Sequence, residues 1–189
     1  MRLGDLRRAA EAQGSRLVRL HSLASGIVFR MAPFELELSR QPRQATFRFA
    51  RFGILTTPVD VDAIMAGYDL ARATLDTAFD PHQFFDDVRR AYAEIARADG
   101  DRVELNEILP YVARRRGTRY RAKTRRLQFA YDMMRLVAAR GLSQDGRRLN
   151  LGVATGTTAY DKSRVIFFEN AYGDGEYKLT VFFTPVQRR

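Results

Sequence analysis

Apolar residues in this chain hold one spacing for a stretch and then change it, and each spacing admits one kind of backbone. From Gly26 to Ser39, Ile27, Phe29 and Met31 alternate with Val28 and Arg30, and Phe34, Leu36 and Leu38 alternate with Glu35 and Glu37. From Ala45 to Thr57, Phe47 and Phe49 alternate with Arg48 and Ala50, and Phe52 extends the series. A period of two puts successive side chains on opposite faces, so these runs read as strands with one buried face. Pro33 marks a bend or bulge, and Arg40-Gln41-Pro42-Arg43-Gln44 reads as a turn or short loop. Together they predict a small antiparallel hairpin or sheet.

On either side the spacing becomes three and four. Leu3, Leu6, Ala10, Gln13, Leu17, Leu20 and Ala24 follow it over three heptads. The stretch from Leu3 to Ala24 therefore predicts one helix, either docked on the body or pairing with a partner or a second copy through an a/d seam. Gly14 weakens that helix by about 1 kcal/mol relative to alanine. Asp60 is placed to cap a helix carrying Ile64, Met65, Tyr68, Ala71, Leu75 and Phe79. Asp80-Pro81-His82-Gln83 starts another: Asp80 caps and Pro81 takes the first helical position. That helix buries Phe84, Phe85, Val88, Tyr92 and Ile95 and stops near Asp99-Gly100-Asp101.

The second half has its own order of elements. A short apolar unit from Val103 to Arg115, bent or begun at Pro110, leads through Gly117-Thr118-Arg119-Tyr120 to a helix from Arg125 to Arg140. Thr124 is its expected cap, Gly141 its end, and Leu127, Ala130, Tyr131, Met134, Val137 and Ala138 its expected core face. Strand-like runs follow at 149–155, 164–168 and 177–183, with Gly173-Asp174-Gly175 as a hairpin turn. Helix, short helix, turn, helix and β-hairpin is the order of a winged helix-turn-helix domain. The expected architecture is α+β: an N-terminal helix with an antiparallel sheet over residues 1–80, then a winged-helix-like half over 81–189.

The charge is unevenly distributed. The chain carries 32 basic and 22 acidic residues. Between Val112 and Arg148 stand 12 basic residues against Asp132 and Asp145, so this stretch holds the whole excess of +10 and the remainder is neutral. The preference for arginine over lysine fits a GC-rich genome, but that does not explain where the charges fall. A solvated face normally mixes signs, and a confined positive field attracts polyanions. On the predicted helix, Arg125, Gln128, Asp132, Arg135 and Ala139 recur at three and four and share a face, expected to be solvated. Arginine and glutamine make bidentate contacts with guanine and adenine edges, so Arg125, Gln128 and Arg135 are candidates for reading bases. Arg114, Arg115, Arg116, Arg119, Arg121 and Lys123 lie at the approach to that helix as candidate phosphate contacts, Arg126 in its first turn is a further candidate for nucleic-acid contact, and Arg147 and Arg148 open the expected wing. Tyr120 and Tyr172 are candidates for stacking on unpaired bases.

Catalytic constellations are few. The chain has no cysteine, hence no disulfide, thiolate nucleophile or cysteine-ligated metal. His21 and His82 lack metal-ligand spacing. Residues 152–158 are glycine- and threonine-rich but lack the Gly-Lys pair of a phosphate loop. Asp60 and Asp62 are explained by a helix start. Glu176-Tyr177-Lys178 has the Glu-x-Lys form used with Mg²⁺ by some nucleases, with Asp161 or Asp174 as a second acid. No apolar run is long enough to span a bilayer and the first residues lack a signal-peptide core.

These observations predict a non-enzymatic nucleic-acid-binding protein of the bacterial cytoplasm, with no cofactor or metal, gripping duplex DNA through a winged helix. Two alternatives stand beside it: a winged-helix subunit of a larger, ATPase-type assembly docking through its N-terminal helix, and a Mg²⁺-dependent nuclease using Glu176 and Lys178.

Overall fold

A computed structural model describes residues 1–170 and 174–186, except for the side chain of Arg119. The chain divides into two compact units, one containing Met1–Thr77, the other Ala78–Asn170 and the residues from Gly175 onward. Both combine helices with an antiparallel sheet, so the fold is α+β.

The first unit opens with α1, Leu3–Ala12, which buries only Leu6 and Ala10. The expected helix to Ala24 ends early. Gly14 takes a positive φ of 72°, and the Ser15 N–H folds back onto the Ala10 carbonyl. The chain then enters β1, Leu17–Leu23, paired antiparallel with β2, Gly26–Met31. Leu17 and Leu20 thus belong to a strand, and the heptad spacing across Gly14 is coincidental. β3 (Phe34–Ser39), β4 (Gln44–Phe49) and β5 (Phe52–Pro58) complete a meander in the order β1-β2-β3-β4-β5. The period-two reading holds most clearly in β3 and β4, where Phe34, Leu36, Leu38, Ala45, Phe47 and Phe49 are all buried. Pro33 and Pro42 each follow a cis peptide bond between strands.

α2, Val61–Leu75, lies across this sheet. Asp60 caps it, its carboxylate accepting from the Ala63 N–H at 2.8 Å. The approach is close at Gly67, where a β-carbon would stand 2.7 Å from Thr57 Cγ2 and 3.0 Å from a Phe47 ring carbon. Tyr68 beside it packs edge-on to Phe34 and donates its hydroxyl to the Ala32 carbonyl at 2.7 Å.

In the second unit, α3 (Pro81–Ala93) starts as its sequence dictates, with Asp80 accepting from the His82 and Gln83 N–H groups and Pro81 in the first turn. β6, Val103–Glu104, runs directly into α4, Leu105–Arg116, with Pro110 inside the helix. A single 3-10 turn, Gly117–Arg119, leads on to α5, Arg125–Ala138. Thr124 contributes no side-chain cap. Instead the Thr124 and Arg125 N–H groups both bond the Arg121 carbonyl. The strands are β7 (Ser143–Gln144), β8 (Arg147–Val153), β9 (Ile166–Glu169) and β10 (Gly175–Pro185). Their order is β6-β10-β8-β7, with β9 paired to the first residues of β10. Helices and sheet meet on aromatic rings: Phe85 and Tyr92 of α3 against Phe183 of β10, at 5.5 and 5.0 Å, and Phe129 of α5 between Phe84 and Phe168. Among the described residues no helix is long and apolar enough to cross a membrane.

Candidate nucleic-acid interface

The basic stretch begins at the end of α4, where three consecutive arginines meet three environments. Helical rotation of about 100° per residue separates their directions. Arg114 lies over the Tyr111 ring at 5.2 Å and is exposed. Arg115 bonds Glu94 of the segment after α3. Arg116 turns inward, with 8% of its surface exposed, to meet Asp87 at 3.3 Å and the Phe84 ring at 5.6 Å. Past the turn, Arg121 and Lys123 stand in solvent and Arg125 is half-exposed; none of the three makes an ion pair among the described residues. The side chain of Arg119 and all of Tyr172 and Gly173 lie outside the described residues.

Arg126 has a structural role. Its guanidinium donates to the carbonyls of Lys162 and Ser163, each at 2.7 Å, and to that of Val165. It thereby fastens the segment leading into β9 onto the start of α5. Burial, and secondarily the neighbouring Arg125, lower its pKa from the ordinary arginine value.

The face expected to be solvated is turned inward. Gln128 is 2% exposed and Asp132 1%. Tyr120 donates its hydroxyl to Asp132 at 2.8 Å, Gln128 donates its amide at 3.3 Å, and Arg135 forms an ion pair with the same carboxylate. Arg135 also lies over the rings of Phe79 and Tyr131, at 4.2 and 4.9 Å. Buried polar groups must find partners, and here they find one another, so a polar face became an interior one. The apolar ridge that helps bury it is Phe129, Met133 and Leu136, whereas Val137, expected in the core, is 50% exposed. Tyr120, a candidate for base stacking, is likewise interior. Burial, and then the charge of Asp132, raise the pKa of its phenol well above the ordinary tyrosine value.

At the first strand of the expected wing, Arg147 is paired with Asp99 at 2.6 Å and Arg148 is exposed. Cations of this region that stand in solvent without an ion pair among the described residues are therefore Arg114, Arg121, Lys123, Arg140 and Arg148, with Arg125 half-exposed.

The other chemical candidates resolve locally. Lys178 bonds Glu176 two residues away on β10. Asp161 accepts from the hydroxyl of Ser163 at 2.5 Å and from its N–H at 3.0 Å. Those bonds, the hydroxyl's first, lower its pKa from the ordinary carboxylate value. No group of three His, Asp or Glu side chains among the described residues is arranged to hold a metal ion. His82 has its Nδ1 3.0 Å from the Gln144 amide oxygen, and His21 is exposed on β1.

Comparison with protein-family models, with curated proteins and with solved structures finds no match.

Proposed function

We propose that the second unit is a winged helix that binds duplex DNA mainly through its phosphates, as a non-enzymatic protein of the cytoplasm. The observation that carries this reading is topological. A winged helix threads helix, strand, helix, helix and two strands, and its short first strand joins the sheet beside the last. Here α3, β6, α4, α5, β8 and β10 follow in that order, and β10 lies between β6 and β8. In such a domain the helix after the tight turn is the one that meets the duplex. The exposed Arg114, Arg121 and Lys123 and the half-exposed Arg125 lie in sequence from the end of α4 to the first residue of α5, and Arg148 lies on β8.

The internal engagement of Gln128 and Arg135 shifts the reading from base recognition toward backbone binding. Side chains committed to Asp132 are not presented to base edges. Phosphate contacts alone give affinity that is sequence-tolerant and falls steeply with salt. The test is a salt series on a duplex of arbitrary sequence. Each phosphate-contacting cation replaced by alanine reduces the slope of log K against log[salt] by about 1, so Arg121→Ala/Lys123→Ala/Arg125→Ala is expected to reduce it by about 3. Absence of any retention at ~50 mM salt, where such contacts are strongest, would sink the proposal.

A second reading, an assembly subunit, rests on β1. It is an edge strand of the first sheet, all but Leu17 exposed, with Val18, Leu20 and Leu23 at 50, 40 and 42% exposure. An open edge bearing apolar side chains is a template for pairing with another chain. Val18→Glu/Leu20→Glu leaves the folded unit intact and abolishes self-association measured by light scattering if this edge is an interface.

A further inference from the structure

The second unit also contains a cleft whose lining includes no residue of the α4–α5 turn. It encloses about 460 Å³ and is bounded by four arginines: Arg89 and Arg90 in the last turns of α3, Arg97 in the following loop and Arg147 at the start of β8. One acid, Asp99, belongs to the same lining, at 2.6 Å from Arg147. Four positive charges against one leave an excess of +3 around a single concavity. Arg89 also lies 3.4 Å from Asp86 of its own helix, a pair at the long end of the range.

The walls are prepared for a ligand in two further ways. Ala93 and Ala96 present side chains too small to fill the space between the guanidinium groups. The floor is the packed pair Tyr92 and Phe183, 4% and 2% exposed. The loop carrying Arg97 is fixed from within: the Arg97 and Ala98 N–H groups donate to the Asp101 carboxylate at 3.0 and 2.9 Å, and the Tyr92 hydroxyl donates to the Asp101 carbonyl at 2.8 Å. A concavity of this size is within the range of small-ligand sites, and a net positive charge in a cleft with an apolar floor raises the local concentration of anions.

We propose that this cleft is a binding site for a phosphate-bearing ligand carrying at least two negative charges. Guanidinium groups match phosphate oxygens with paired hydrogen bonds, and four arginines around one space exceed what a single carboxylate engages. Asp99 occupies Arg147 in the free protein, and the incoming phosphate takes over that arginine. Two sources share this chemistry: a free di- or triphosphate, and the 5′-phosphate end of a nucleic-acid strand. The cleft lining includes none of the proposed duplex-binding cations.

The test is calorimetric titration of the full chain with inorganic pyrophosphate, alongside binding of one short oligonucleotide with and without a 5′-phosphate. One saturable pyrophosphate site is expected, weakened at least tenfold in Arg90→Ala/Arg97→Ala, whose side chains are exposed and make no ion pair among the described residues. Asp99→Asn, which keeps every arginine, tightens binding several-fold by removing the competing anion; a loss of packing alone gives no gain. Arg121→Ala/Lys123→Ala weakens duplex binding and leaves pyrophosphate binding unchanged, so the two proposals fail separately. Affinity gained from the 5′-phosphate and lost in Arg90→Ala/Arg97→Ala identifies a strand end as the source; pyrophosphate binding without that gain identifies a free ligand. The proposal is overturned if neither probe shows saturable, phosphate-dependent binding, or if binding is unmoved by both the arginine and the Asp99 variants.

Discussion

Between α4 and α5, Arg121 and Lys123 stand in solvent; within α5, Gln128 and Asp132 are buried and the partly buried Arg135 closes on the same carboxylate. The two regions are neighbours in sequence and similar in composition, yet one offers its charge outward and the other consumes it. The difference lies in whether an opposite partner is within reach. Asp132 falls four residues after Gln128 and three before Arg135, the separations at which helical side chains meet, and Tyr120 arrives from the turn to complete the set. The turn contains no acid. Here the acid at helical spacing, together with the Tyr120 hydroxyl, is what allows Arg135 and Gln128 to turn inward.

Breaking the interior set gives the largest effect. Asp132→Ala takes the carboxylate from the partly buried Arg135 and removes the acceptor of the Tyr120 hydroxyl and Gln128 amide bonds. Removing one partner of a buried ion pair costs about 3–5 kcal/mol, and a comparable loss is expected in urea denaturation of this variant. Arg126→Ala comes next: a half-buried cation holding three carbonyls is removed, and bonds to a charged donor contribute about 1.5–3 kcal/mol, less where solvent screens them as at two of these three. In that variant, amide exchange should accelerate at residues 162–165 while β2 to β5 are unaffected.

Tyr120 adds a pH dependence. Its folded pKa is raised above the unfolded value of about 10. The stability it contributes is therefore complete below pH ~10 and is lost as pH rises from there through the folded value. Alkaline titration followed at the phenolate absorbance should show Tyr120 ionising only with unfolding, and Tyr120→Phe should remove that part of the pH dependence, at the cost of one buried hydrogen bond. Arg121→Ala and Lys123→Ala close the series with the smallest effect on stability, within about 0.5 kcal/mol for exposed sites. A larger loss at these positions would mean that the turn, too, is internally engaged.

The parts of the fold legible in the sequence are those decided locally. Asp60 and Asp80-Pro81 start their helices because a carboxylate next to free N–H groups needs nothing from elsewhere in the chain. Phe34, Leu36, Phe47 and Phe49 announce buried strand faces by alternation alone. The heptad spacing from Leu3 to Ala24 misleads because periodicity does not register that Gly14 has left the helix and that β2 offers β1 a ladder of partners. The rotation of α5 was illegible for a similar reason: whether Gln128 and Asp132 face water depends on Tyr120 and Arg135 arriving to satisfy them. Among the arginines and the lysine proposed to contact nucleic acid, the exposed ones cannot be told from Arg116 or Arg126 by residue type. The arginine cleft leaves no mark in the sequence, because Arg89, Arg90 and Arg97 lie in a segment of balanced charge and meet Arg147 only through the placement of β8.

The two sheets differ in when they can close during synthesis. In the first, each strand pairs with the one just made, so β1 to β5 can assemble as they leave the ribosome. In the second, β10 is the strand that β6 and β8 both require, and β6 precedes it by about seventy residues. Non-local closure of that kind is slow, and domains made early fold first. A nascent chain halted after Arg164 would carry a finished first sheet and a second unit with its helices made but β6 and β8 unjoined. Through that interval the apolar sides of α3 and α5 wait for Phe183 and Phe168. The vulnerable period in the life of this protein is thus the translation of its last described strand.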